Sequence, residues 1–237
     1  MKNPRDRPES VEPEPDIVEQ TFKATLDCRY LLHLPQRVDE RTLLAATLHG
    51  FGSNPEVMLQ LTGTMLEWKH AIASIQAPSE FFLSPGTKDV GYCWITHKYP
   101  ASSIRLHHDM VQHVLEEAGR EYGIPSERRM LVGFSQPAGL NYRFAATHPA
   151  SVRGVIGICG GLPGDWEEGR YQKISASLLH IARREDEFYP PEITEKYADR
   201  LRLRAADVEF AMMDGGHRFP SKAGPVVERW IKRVFDV

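Results

Sequence analysis

The stretch LVGFSQPAGL, residues 131–140, sets Ser135 two residues after Gly133, between an apolar run and a helix-forming one. A serine there can act as a nucleophile. A tight strand-to-helix turn projects its hydroxyl from the sheet edge, and the helix N-terminus favours negative charge nearby. Gly133 suits such a turn, because a side chain two residues before the serine would crowd it. Serine is also a common helix N-cap, so the tripeptide alone leaves nucleophile and cap open. The pattern G-x-S-x-G asks for glycine where this chain has Pro137.

A serine hydroxyl is a weak nucleophile until an adjacent base takes its proton. Of the ten histidines, His217 in MMDGGHRFP follows the last strand-like run, and the glycines before it let its loop turn back over the sheet edge. His180 falls inside an apolar run and reads as a core residue. His107, His108 and His113 fall on one helical segment and read as surface or partner contacts; His148, before Pro149, reads as a helix cap. Between the serine and the histidine, LLHIARREDEFYPP ends a strand in an acidic loop. Asp186 is chosen there as the acid that holds the imidazole in one tautomer and stabilises its charged form. Glu185 and Glu187 compete with it, and an exposed acidic turn is the plain alternative. In LHGFGSN, glycines 50 and 52 let the chain present the Phe51 N–H to an oxyanion. The N–H of Gln136, immediately after the serine, supplies the second donor. His49 reads as a prop for this loop.

Elements with a regular rhythm must carry these loops. TFKATLDCRYLLHLP predicts an opening hairpin. TLLAATL, AIASIQA, RRMLVGF, SVRGVIGIC, SASLLHIA and VEFAMMD are strand-like runs. They alternate with amphipathic segments: PEVMLQLTGTMLEW, starting after Asn54 as N-cap, SSIRLHHDMVQHVLEEAGREYG, AGLNYRFAATH, PEITEKYADRLRLRA and AGPVVERWIKRVF. Continuous apolar strands between such helices predict a mostly parallel sheet covered on both faces. Right-handed crossovers then bring the loops after the strands to one edge. Residues 78–100 and 160–173 are too irregular for core and are expected to overhang that edge. Residues 1–20, charged and proline-rich, are expected to form a flexible leader without a secretory h-region, and 21–237 one domain.

The composition narrows the partners. With 41% apolar and 26% charged residues the chain can bury a sizeable core, and a formal charge of −3 without long single-sign runs suggests neither nucleic acid nor an anionic membrane surface. No apolar run approaches the roughly 20 residues of a membrane span. The three cysteines, widely spaced and without C-x-x-C, fit a reducing compartment, so a cytoplasmic location is expected. No metal or other cofactor is expected, since there is no H-E-x-x-H and no clustered Cys/His set.

Taken in order, LHGFGSN, GFSQ, RREDEFYP and GGHRFP resemble the α/β-hydrolase superfamily, in particular its carboxylesterase/phospholipase branch of small esterases, lysophospholipases and acyl-protein thioesterases. The resemblance runs from residue 42 to the C-terminus. It implies an α/β-hydrolase fold without a large cap domain and a Ser135–His217–Asp186 triad, with Asp186 where the branch places its acid. The implied reaction passes through an acyl-enzyme on a small-molecule ester. GYCWI at 91–95 resembles the branch's aromatic pocket segment, making Trp94 a contact for the acyl or alcohol group. GGLPGDW resembles the loop after the sixth strand and brings Leu162 to the substrate. Short loops imply an open groove and small to medium acyl groups. A thioesterase, a lysophospholipase or a catalytically silent binding protein on the same fold are the other readings. Pro137 is the departure from the pattern: proline biases the preceding Gln136 away from helical geometry, yet is well tolerated in a first helical turn.

Overall fold

The computed structural model describes residues 18–168 and 171–237. Its centre is β2 (Leu44–Leu48), LAATL, buried along its whole length. Beside it run β3 (Ala71–Ile75), β6 (Arg129–Phe134), β7 (Gly154–Ile158), β8 (Ser177–Arg183) and β9 (Val208–Met213). With β1 (Tyr30–His33) they form a sheet in the order β1-β3-β2-β6-β7-β8-β9. Every neighbouring pair is parallel except β1 with β3.

Buried on both faces, these strands need no polar alternation, which is why they read as unbroken apolar runs. Successive residues still point to opposite sides. Leu44, Ala46, Leu48 and Leu131 join the layer of α2 (Pro100–Glu121) and α3 (Gln136–Thr147). Ala45, Met130 and Val132 join the layer of α1 (Pro55–Met65) and α6 (Gly224–Phe235). The Asn54 side chain caps α1 by accepting the Val57 N–H at 2.9 Å.

The chain departs from the sequence reading in four places. The opening hairpin is absent: only β1 forms, and it pairs with β3 rather than with residues 21–29. The segment before β1 does alternate apolar residues, Phe22, Ala24, Leu26 and Cys28, but they remain exposed with nothing packed over them. The expected helix over 191–205 is two short ones, α4 (Pro191–Thr194) and α5 (Tyr197–Arg202). Residues 78–100 reach the core as well: β4 (Ser79–Phe82) and β5 (Val90–Cys93) make a separate antiparallel pair, and Cys93 and Trp94 at its end are buried. Residues 160–173 do reach the core, through the fully buried Trp166, whose indole N–H donates to Arg200 O at 2.8 Å. The expected leader lies outside the described residues except for 18–20. Among the described residues, no helix is long and apolar enough to cross a membrane.

The strand order fixes where chemistry can sit. Chain order reverses between β2 and β6, where β3 leaves to one side and β7 to the other. Parallel sheets open a crevice at the carboxyl ends of the strands at such a point. Leu48 pairs with Gly133 there, so residues 49–54 and Ser135 emerge side by side.

Candidate active site

Ser135 stands between β6 and α3 with φ 63° and ψ −116°. These angles match the first central position of a type II′ turn, a place glycine ordinarily takes. Two contacts hold the serine there: its N–H extends the strand ladder to Ile158 O at 2.8 Å, and its carbonyl accepts the Ala138 N–H at 3.1 Å. Two glycines make room. A Cβ on Gly133 would stand 2.7 Å from Asn141 Nδ2, and one on Gly160 only 2.4 Å from both Ser135 O and the Ala138 Cβ. Pro137 takes the second position of α3, where no intrahelical acceptor awaits its missing N–H.

Asp186 and His217 arrive from the ends of β8 and β9, neighbours in the sheet. His217 Nε2 lies 2.8 Å from Ser135 Oγ, and its Nδ1 lies 2.9 and 3.1 Å from the two oxygens of Asp186. The Asp186 carboxylate is fully buried. Its Oδ1 also accepts the N–H groups of Phe188 and Tyr189, at 3.0 and 2.9 Å, which keeps it facing the imidazole. With Nδ1–H turned to Asp186, Nε2 presents its lone pair to the serine hydroxyl. That is the geometry of a general base beside its nucleophile.

The other two acids of the loop bind the main chain of the histidine loop instead. Glu187 accepts the His217 N–H at 3.0 Å, and Glu185 accepts the Gly215 N–H. Backbone hydrogen bonds, its own first and then that from His217, hold the Glu187 carboxyl below its usual range. Arg183 closes the loop by donating to Asp214 O and Arg218 O, each at 3.0 Å. Phe134 stacks on the His217 ring at 5.3 Å and Phe188 meets it edge-on at 4.9 Å. The sequence pattern signals none of these supports; it offers Glu185 and Glu187 only as rivals to Asp186 for the imidazole.

A Cβ on Gly50 would stand 3.3 Å from the Ser135 Cβ, which sets Phe51 next to a residue touching the serine, and the backbone N–H groups of Phe51 and Gln136 make no backbone hydrogen bond among the described residues. His49 is a prop. Its Nε2 accepts the Ala77 N–H at 3.1 Å, so its Nδ1 carries the proton and donates to Gly50 O at 2.8 Å. Burial keeps this imidazole neutral by pushing its pKa down. Beside the Gln136 turn lies a groove of about 460 Å³ lined by Phe51, Ile95, Thr96, His97, Pro100 and Gln136.

Two placements differ from expectation. Trp94 is 1% exposed and does not face a substrate. A buried indole N–H needs an acceptor, and this one finds His49 O at 2.8 Å. His107 and His108 are buried between α2 and its neighbours, where His107 meets Trp94 and His108 meets Phe144 edge-on, at 5.4 and 5.5 Å. The helical period puts His107 in line with Val111, Val114 and Ala118, a pattern that marks it as core. Leu162 is half-buried, on the loop after β7. His180 is a core residue, bonded through Nδ1 to the Tyr142 hydroxyl at 2.8 Å. His113 lies at the surface beside Glu117.

The serine hydrolase (FSH1) family model matches residues 45–228. No curated protein matches the chain in sequence. A carboxylesterase from Bacillus cereus is similar in structure, with a TM-score of 0.70 and 15% identity over 88% of this chain and 95% of that one. A carboxylesterase from Mesorhizobium loti gives 0.68 and 19% over 89% and 97%. Acyl-protein thioesterase 2 from Zea mays gives 0.66 and 16% over 87% and 99%. At these identities the likeness is one of fold, and that fold is the α/β-hydrolase fold.

Proposed function

The chain belongs to the serine hydrolase (FSH1) family, and on that premise we propose that it hydrolyses carboxylic esters of small to medium acyl groups through an acyl-enzyme formed on Ser135. The observation that carries this reading is the continuous row from Ser135 Oγ through His217 to the buried Asp186, with its 2.8 Å and 2.9 Å links. Ser135 Oγ attacks the ester carbonyl as His217 Nε2 takes its proton, and Asp186 stabilises the imidazolium that forms. The carbonyl oxygen becomes an oxyanion and receives the N–H groups of Phe51 and Gln136. Collapse of this intermediate returns the proton from His217 to the departing alkoxide, which leaves as the alcohol. Water, deprotonated by His217, then attacks the acyl-serine; the acid leaves and the serine is restored.

The groove beside Gln136 supports the preference in acyl size. Its walls at Phe51, Ile95 and Pro100 are apolar, and its volume of about 460 Å³ falls within the range of small-molecule sites. Leu162, half-buried on the loop after β7, is proposed as a further apolar contact for the substrate.

Two experiments test the reading: hydrolysis of p-nitrophenyl esters from acetyl to palmitoyl, and labelling with a fluorophosphonate. Turnover should peak at short to medium chains, and the probe should label the wild-type protein but not Ser135→Ala. Ser135→Ala and His217→Ala should each lower turnover on the order of 10⁴-fold or more while the protein stays folded. Undiminished turnover in a folded Ser135→Ala protein sinks the assignment.

A further inference from the structure

Phe51 and Gln136 offer their N–H groups from two different loops, and neither loop by itself sets the distance between them. β5 spans that gap. Gly52 N–H donates to Tyr92 O at 2.9 Å and Tyr92 N–H to Ser53 O at 3.1 Å, so the loop after β2 lies along β5 like a short added strand. Contact is close enough that a Cβ on Gly91 would stand 2.5 Å from Gly52 O. Just past β5, the Trp94 indole N–H donates to His49 O. On the other side, the Gln136 side chain reaches the same segment: its Oε1 accepts the Trp94 N–H at 2.8 Å, and its Nε2 donates to Ile95 O at 2.9 Å.

We propose that the Gln136 side chain is a positioning residue for the oxyanion site: its carboxamide clasps residues 94–95 to the first turn of α3 and so sets the spacing between the Phe51 and Gln136 N–H groups. The proposal rests on the hydrolytic reading above for its effect on rate. A carboxamide carries an acceptor and donors side by side, which is what mating with the N–H of one residue and the C=O of the next requires. Glutamate at 136 would keep the acceptor for Trp94 but turn a carboxylate oxygen toward Ile95 O. Leucine would fill the space and leave the Trp94 N–H without an acceptor and Ile95 O with only the Cys93 thiol at 3.2 Å, at the cost that partly buried polar groups carry. A misplacement of about 1 Å in such a site costs about a hundredfold in rate.

The experiment compares Gln136→Glu and Gln136→Leu with the wild type and with Ser135→Ala. Both should lower kcat on the order of tenfold to a hundredfold and leave KM within about twofold, the signature of an interaction made in the transition state. A boronic acid inhibitor, which builds a tetrahedral adduct on the serine, should lose affinity in parallel with kcat/KM. Trp94→Phe keeps an aromatic ring at this position but removes the indole N–H that bonds His49 O, so it should give the same signature. The double variant Gln136→Glu/Trp94→Phe should lose less than the product of the single losses, because both act on one frame. A kcat within twofold of wild type in folded Gln136→Leu overturns the clasp, as does a loss in KM alone. Amide hydrogen exchange reads the clasp without any turnover. Exchange at Trp94 and across residues 49–54 should quicken in Gln136→Leu, and unchanged exchange overturns the proposal. Full activity in Ser135→Ala would instead remove the hydrolytic reading and leave the exchange result standing.

Discussion

The Glu187 carboxylate accepts the backbone N–H of His217 at 3.0 Å, so the loop that supplies the acid also holds the main chain of the loop that supplies the imidazole. An uncharged acceptor can do most of this. Glu187→Gln should therefore keep kcat within about twofold, whereas Glu187→Ala should lower it severalfold by loosening the histidine, a modest loss for a solvent-facing hydrogen bond. Steady-state kinetics on the two variants separates them; equal losses in both would mean that the charge, and not the hydrogen bond, is what counts.

Asp186→Asn should be far more damaging than either glutamate change. Asp186 accepts from Phe188, Tyr189 and His217 together. An amide there offers N–H where the imidazole needs an acceptor, which favours the wrong tautomer. The expected loss in kcat is on the order of 10⁴-fold with the fold intact. Turnover within tenfold of wild type, in a protein with unchanged melting, would reassign the acid.

Pro137 sits at the second position of α3, and its ring is buried. The first turn needs no N–H from this residue. Pro137→Gly should thus leave kcat within a few-fold and lower stability by about 0.4 to 1 kcal/mol, because glycine frees the unfolded chain. Thermal melting and kinetics decide it together. A gain of about a hundredfold in kcat would mean that the proline holds the Gln136 N–H out of place, one oxyanion donor being worth roughly that much.

Acid should unfold the protein in a range set by histidines outside the site. Burial, followed by the nearby Lys69, lowers the His70 pKa to about 4. Burial, followed by His148 and Arg143, does the same to His108. In the unfolded chain these groups titrate near about 6.5. Between those values the unfolded chain binds protons that the folded protein refuses, so stability is full above about 6.5 and falls as the pH drops toward about 4. Melting temperature should fall between pH 7 and pH 5, and His108→Gln should lessen the fall. A flat profile over that range would contradict this account.

What was legible in the sequence follows the range over which each feature is encoded. Strands such as GVIGI and LAATL announce themselves because burial on both faces favours apolar residues almost throughout, Thr47 being admitted through its bond to the Thr62 hydroxyl. Ser135, His217 and Asp186 were readable because each ends a strand, and strand ends converge in a parallel sheet. The clasp by Gln136 was not readable, since its partners lie more than 40 residues away and are backbone atoms of any residue type. Trp94 misled for a related reason: an aromatic in a glycine-flanked segment looks like a pocket wall, and only its distant acceptor, His49 O, shows that it faces inward. Trp166 was hidden by the glycines and proline before it, which mark a turn but not where the turn leads.

Ser135 holds a φ of 63°, which L side chains enter only at a cost. Such a conformation stores about 1 to 3 kcal/mol when the surroundings enforce it. The residue that best relieves it is glycine, which has no hydroxyl to attack with. Selection for a durable fold and selection for a reactive group therefore pull in opposite directions at this one position. Laboratory evolution of this chain for heat resistance alone, with no demand for turnover, should enrich Ser135→Gly early, and the serine should return only when activity is scored again.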